Sequence, residues 1–284
     1  MSLDDIGFLT FAQNTQSTDY LRLAYLQALN VKHLHPGWKF AVVVDKDTHD
    51  QIEEKHKKIF DHIIPIQVDY NKPDSNWKLA NEFQSYGLSP FKETIKLESD
   101  LLFPRNITHW LNAFRFRDVV LSTGCKHYFG HASESRFYRK FFDDNHLPDV
   151  YNGLMYFRKS QTAFEFFKLA ENIFINWDTI KERAVKNCRE DTPSTDVLYA
   201  IAAQLFGPER CTLPSFDFIN FVHMKPNIQG LPASQAWYDV VMSEQDENII
   251  RVNNLNQYHP VHYYDKGYAT DGLIEYYEQR IGIN

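Results

Sequence analysis

Over its first hundred residues the chain alternates short, wholly apolar runs with amphipathic ones, and this alternation restricts its fold more than any other feature. "IGFLTFA" (6 to 12) reads as a buried strand. "TDYLRLAYLQALNVKHL" (18 to 34) reads as an amphipathic helix that stops before Pro36 and Gly37, and "KFAVVVD" (39 to 45) as a second buried strand. A helix from about Thr48 to Phe60, a strand at "HIIPIQV" (62 to 68), a helix near "NWKLANEFQSYGL" and a strand at "TIKLESDLLF" continue the series. Strands without a polar face that alternate with helices imply an α/β fold, with a mostly parallel central sheet and helices on both faces. No repeat, low-complexity tract or linker interrupts the pattern. One domain over 1–284 is expected, divided at about 103 and 225, with 226–284 as a C-terminal extension.

The strand "TIKLESDLLF" carries two acids, Glu98 and Asp100, among strand-forming apolar residues. Strand side chains alternate in facing, so Lys96, Glu98, Asp100 and Leu102 share one side, with Cα atoms two residues apart separated by roughly 6.5 to 7 Å. Two carboxylates at that spacing repel unless a positive charge sits between or beside them, and a divalent cation would supply it. The competing reading ends the strand near Glu98 and leaves both acids solvated. Ligands of parallel sheets bind beyond the carboxyl ends of the strands, where this pair would lie, which favours the functional reading. A second acidic pair, Asp45 and Asp47, has a simpler explanation in helix capping: Thr48 and Gln51 fit a capping box.

Composition excludes several classes. A formal net charge of -7 gives no overall attraction to nucleic acid or anionic membranes. Three widely separated cysteines without CxxC spacing suggest neither a disulfide framework nor a zinc ribbon, and a reducing cytoplasm is the expected setting. No apolar run approaches membrane-spanning length, and the acidic start is wrong for a signal peptide.

In the second half, "RDVVLSTG" (117 to 124) reads as a strand, and Arg136, Arg139 and Lys140 either hold phosphates or form a solvated helix face, the latter being preferred. "PDVYNGLMYFRKS" contains Asn152-Gly153, which reads either as a hairpin turn or as a place where backbone approaches a ligand closely. "TPSTDVLYAIAAQLFG" reads as a helix with Asp196 in its first turn, where the helix dipole favours an acid.

Taken in order, an α/β half ending in acid-x-acid, a strand carrying "YNGLMYF" and a late "VHMKP" resemble the GT-A glycosyltransferases. In pattern the chain is most similar to family-8-like enzymes and to glycosyltransferases encoded by large tailed bacteriophages. The resemblance covers about residues 5 to 225, through short motifs. It implies a nucleotide-binding half (1–103) and a sugar and acceptor half (104–225). It makes Glu98 and Asp100 the acidic pair, and His223 the late histidine, of a site for Mn or Mg on the donor diphosphate. The family's usual residue at position 98 is Asp, so Glu98 is a departure. "QYHPVHYYDKG", with His259, His262 and Lys266, is a second candidate for the late histidine, ranked below His223. The resemblance further assigns Thr10, Ala12 and Asn14 to the nucleotide, with Asp45 another candidate, and Lys78, Gly153 and Lys225 to the donor. Asn152 and Asp196, the candidate catalytic residues, fall with Gly153 at the transferred sugar.

The implied activity is transfer of a sugar from a nucleotide-diphosphate donor to an acceptor hydroxyl, with retention of configuration. The acceptor is a glycan or protein hydroxyl, or a hydroxylated pyrimidine in phage DNA in the host cytoplasm. The DNA acceptor requires a local basic patch, for which Lys55, Lys57 and Lys58, or Arg136, Arg139 and Lys140, are the candidates. Two alternatives stand beside this reading: a nucleotidyltransferase, disfavoured by the lack of a Gly-rich phosphate loop, and a degenerate nucleotide- or glycan-binding protein.

Overall fold

The computed structural model describes residues 5–72, 75, 78–132, 136–213, 221–224, 243–246, 249–263 and 265–283, with backbone alone at 136–138 and 243–246. The apolar runs form β1 (Ile6–Ala12), β2 (Lys39–Val44), β3 (His62–Pro65) and β4 (Glu93–Leu97). Together with β6 (Val119–Thr123) and β7 (Val150–Arg158) they make a six-stranded sheet of order β3-β2-β1-β4-β7-β6. Strands β1 to β4 are parallel, and β7 runs antiparallel to both of its neighbours. All seven residues of β1 are buried, with α1 (Tyr20–Leu34) over one face and Phe91 against Leu9 and Phe11 on the other.

On one face, α1 (Tyr20–Leu34) and α11 (Asp271–Ile281) cover Phe8, Phe40, Val42, Ile95 and Tyr156. On the other, α7 (Gln161–Ile175) and α9 (Thr195–Phe206) cover Val119, Leu121, Met155 and Phe157, while Phe91 closes over Leu9, Ala41 and Val43. Burying each such large side chain contributes about 1.5–3 kcal/mol. Shorter helices connect the layers: α2 (Lys46–His49), α3 (Glu54–Ile59), α4 (Ser85–Leu88), α5 (Leu111–Phe114), α6 (Arg136–Asp144), α8 (Trp177–Arg183) and α10 (Pro208–Cys211). Two-residue strands β5 (Leu101–Leu102), β8 (Val222–His223) and β12 (Val261–His262) make a small second sheet, β5-β12-β8. A third is built from β9 (Ser243–Asp246), β10 (Ile249–Val252) and β11 (Leu255–Asn256). No helix among the described residues is long and apolar enough to cross a membrane.

Three local expectations are corrected. The helix expected over 48–60 is two short ones, because Asp45 accepts a hydrogen bond from Thr48 N at 2.9 Å and Glu53 and His56 form their own capping box. The helix expected before β4 is reduced to a single 3-10 turn and α4. Asn152-Gly153 lies inside β7 rather than in a hairpin turn. A Cβ on Gly153 would come within 2.8 Å of the Phe221 ring, so glycine here permits close packing.

At the end of α1, His35 is 1% exposed among Phe8, Trp38 and Phe103. Its Nδ1 lies 3.1 Å from Val31 O, and its Nε2 accepts from Ile107 N at 2.9 Å, an arrangement that requires the neutral ring. Burial pushes its pKa down to about 4. The unfolded chain binds a proton near the ordinary value of about 6.5 and the folded chain does not. Stability is therefore intact above that pH, and about 3 kcal/mol is lost between pH 6.5 and 4. Chemical denaturation across this range should show the loss in the wild type, and a flatter profile in His35→Phe at lower overall stability.

Candidate metal centre and cleft

At the carboxyl end of β4 the strand stops at Leu97 and the chain turns through Glu98, Ser99 and Asp100 before β5. The turn is held at its backbone. Glu98 N donates to Gly153 O at 3.1 Å, and Tyr263 N to Asp100 O at 3.0 Å. Gln27 of α1 donates through Nε2 to Glu98 O at 2.6 Å and Leu101 O at 2.8 Å. Next to the turn, β5 pairs antiparallel with β12, which sets His262 opposite Leu101. His262 Nε2 thereby lies 3.2 Å from Glu98 Oε2 and 3.0 Å from Asp100 Oδ1. One ligand atom from each of Glu98, Asp100 and His262 falls within 4.8 Å of the others. The other Asp100 oxygen accepts from Lys266 Nζ.

The charges explain how two acids coexist here. Burial works against ionisation of Asp100, but His262 and Lys266 outweigh it and hold its carboxyl well below the usual range. At Glu98 burial prevails over His262, with Asp100 adding to it, and the pKa rises. Burial alone would depress His262, yet the two carboxylates raise it; Lys266, also opposed by burial, is raised by Asp100. Two oxygen donors and one imidazole nitrogen suit a divalent ion, Mn better than Mg because of the nitrogen. The longer Glu98 side chain reaches the same point as Asp100, so the departure at this position is accommodated.

Above this group opens a cleft of about 620 Å3. Its walls include Gln13 and Tyr20 on the β1 side and Asn152, Gly153 and Asp196 on the β7 side, with Glu82 between.

No protein-family model matches the chain. No curated protein matches it either. Among solved structures, the galactosyltransferase LgtC in complex with donor and acceptor sugar analogues matches with a TM-score of 0.53 at 11% identity, covering 97% of this chain and 95% of that one. An active-site mutant of LgtC gives a TM-score of 0.52 at 13% identity over the same shares. The architecture is that of the GT-A fold. A mixed, mostly parallel sheet flanked by helices is common to both, and the acid-bearing turn lies at the carboxyl edge of this sheet.

The structure distributes the residues singled out in the sequence unevenly. Glu98 and Asp100 meet, and the histidine that joins them is His262. His223 stands one strand further out: β8 pairs with β12 in parallel, His223 faces His262, and their ring centroids are 4.5 Å apart. His223 also lines the cleft. Thr10, Ala12 and Asn14, which the resemblance assigns to the nucleotide, are not among its lining residues. Thr10 Oγ1 donates to Leu97 O at 3.1 Å, and Ala12 is packed in the core that α1 covers. Asn14 is committed to Leu21 N through Oδ1 (2.9 Å) and to Gln51 through Nδ2 (2.9 Å). Strand alternation accounts for this, since Phe11 and Gln13 take the cleft side instead.

Lys78 lines the cleft and pairs with Asp45 at 2.6 Å. Lys225 lies outside the described residues. Asn152 donates through Nδ2 to Glu82 Oε2 at 2.7 Å and through its backbone N to Asp196 Oδ1 at 2.6 Å, while its Oδ1 is buried without a hydrogen-bond partner among the described residues. Asp196 also accepts from Arg139 Nη1 at 3.1 Å. Arg139, expected on a solvated face, is 1% exposed, with its guanidinium 3.5 Å from the Phe142 ring centroid and 3.9 Å from that of Tyr151. The aromatic residues around it in "RFYRKFF" were the available signal. Gln13, Glu82 and Arg139 are the cleft and cleft-supporting residues that sequence reasoning did not assign.

Proposed function

We propose that this chain is a metal-dependent glycosyltransferase that moves a sugar from a nucleotide-diphosphate donor to an acceptor hydroxyl. The observation that carries the reading is the Glu98–Asp100–His262 group at the carboxyl end of β4, beneath a cleft large enough for a nucleotide sugar. Glu98, Asp100 and His262 would hold a divalent ion, which when bound would supply positive charge to a diphosphate leaving group. Lys266 adds a cation from the protein beside the same group. On the β7 side, Asn152 Oδ1, without a partner among the described residues, is offered to a sugar hydroxyl, and Asp196 holds the Asn152 backbone in place. Transfer with retention belongs to this reading, and the anomeric proton of the product, followed by NMR, is its test.

A glycan or protein hydroxyl is the acceptor this reading favours. The hydroxylated base and the phage setting draw no support from the fold or the site. Of the basic residues they would use, Lys55 pairs with Glu53 at 2.9 Å, Lys57 with Glu54 at 2.6 Å and Lys140 with Asp144 at 2.7 Å, while Arg139 is buried. DNA affinity that appears at low salt and falls as salt rises would reinstate that acceptor.

The test of the main reading is a thermal-shift panel of nucleoside diphosphates and nucleotide sugars, with and without MnCl2. One nucleotide should raise Tm by about 5 °C at 100 times its Kd, and only with metal present. No shift with any nucleotide, with or without metal, would overturn the proposal.

A further inference from the structure

With Thr10, Ala12 and Asn14 turned away from the cleft, Gln13 is the polar side chain at the end of β1 that reaches it. Its orientation is fixed by a chain of hydrogen bonds. Asn81 Oδ1 accepts from Tyr70 N at 2.9 Å, and Asn81 Nδ2 donates to Asp69 Oδ1 at 2.8 Å. A backbone N–H can only donate and a carboxylate can only accept, so the Asn81 amide cannot be reversed. Its Nδ2 also donates to Gln13 Oε1 at 3.3 Å. The Gln13 oxygen is therefore taken, and its Nε2 points elsewhere.

That Nε2 is buried without a hydrogen-bond partner among the described residues, on a residue 3% exposed that lines the cleft. A buried amide donor left unpaired is costly, and one held in this orientation is prepared for an acceptor supplied from outside. β1 pairs in parallel with β4 as far as Thr10 opposite Leu97, so Gln13, three residues past that pair, lies beyond the carboxyl end of β4 on the same edge of the sheet as Glu98 and Asp100, and all three line the one cleft. A donor whose diphosphate sits at Glu98 and Asp100 would pass within reach of it.

We infer that Gln13 is a specificity-determining residue whose Nε2 donates a hydrogen bond to an oxygen of the sugar donor, either on its nucleoside half or on the transferred sugar. The inference rests on the glycosyltransferase reading. Gln13→Glu keeps an oxygen for Asn81 and replaces the free donor with an acceptor; Gln13→Met removes both.

The experiment is isothermal titration of wild type and both variants, each first checked by thermal melting, with UDP, GDP, UDP-glucose and GDP-mannose in MnCl2 and with inorganic pyrophosphate in MnCl2. Should Gln13→Glu not fold, Gln13→Met carries the test. At least about 10-fold weaker binding of the nucleotides, with pyrophosphate unchanged, is expected. If nucleoside diphosphates and nucleotide sugars weaken alike, the oxygen is on the nucleoside; if nucleotide sugars alone weaken, it is on the sugar. Unchanged affinities, or pyrophosphate weakened as much as the nucleotides, would overturn the inference. If wild type binds none of the four nucleotides, the glycosyltransferase reading itself fails and takes this assignment with it.

Discussion

Asp100→Asn should abolish metal-dependent nucleotide binding and lower any transfer activity by roughly 1000-fold or more, because in the proposed site this carboxylate would hold the cation, and His262 and Lys266 keep it ionised. The substitution preserves shape and leaves the backbone hydrogen bond from Tyr263 N to Asp100 O in place, so the fold should survive. Two companion variants separate the histidines. His262→Ala should reproduce most of the loss, since its Nε2 is 3.0 Å from Asp100 Oδ1. His223→Ala should cost less, as its ring faces His262 from the next strand. Binding of MnCl2 and nucleotide, measured by titration on all three, checks the order. Full metal-dependent binding by Asp100→Asn would remove the acidic pair from the proposed site, and a larger effect at His223 than at His262 would reverse their assignment.

The histidine problem shows what the sequence could and could not reveal. "FVHMKP" and "HPVHYYDK" both present Val-His, and nothing local ranks them. The deciding fact is that β12, not β8, lies beside β5, a pairing across about 160 residues with no local signature. Elements set by local pattern were legible: β1 has the bounds read from its apolar run, and α1 ends where Pro36 required. The two acids were legible as a charge conflict on a strand, although the chain resolves it by turning at Glu98 and bringing up His262 and Lys266. Alternation puts Phe11 and Gln13 on one face of β1 and Thr10 and Ala12 on the other, but which face borders the cleft depends on elements packed from elsewhere in the chain and was not legible. Arg139 escaped because a cation between aromatic residues reads equally as a solvated helix face until its partner Asp196 is seen.

Behind the β7 wall of the cleft lies an ion pair that should dominate the stability of this region. Lys96 of β4 is fully buried and pairs with Glu82, which is 5% exposed at its side chain. The same Glu82 oxygen accepts from Asn152 Nδ2 at 2.7 Å, and Tyr199 OH donates to Glu82 O at 2.9 Å. Lys96→Met should fit the apolar strand but leave a carboxylate buried without its cation, at a cost of about 3–5 kcal/mol. That corresponds to a fall in Tm of about 5–8 °C. Adding Glu82→Gln should restore much of the loss, because the amide carries no charge and still hydrogen-bonds to Asn152. The interaction energy of this double-mutant cycle is the measurement. If Lys96→Met costs under about 1 kcal/mol, the pair is not the support of the wall; if it costs several and Glu82→Gln recovers none, the loss comes from packing of the lysine stem. In the expected case, the pair holds Glu82 Oε2 where it fixes the Asn152 amide, whose Oδ1 has no hydrogen-bond partner among the described residues.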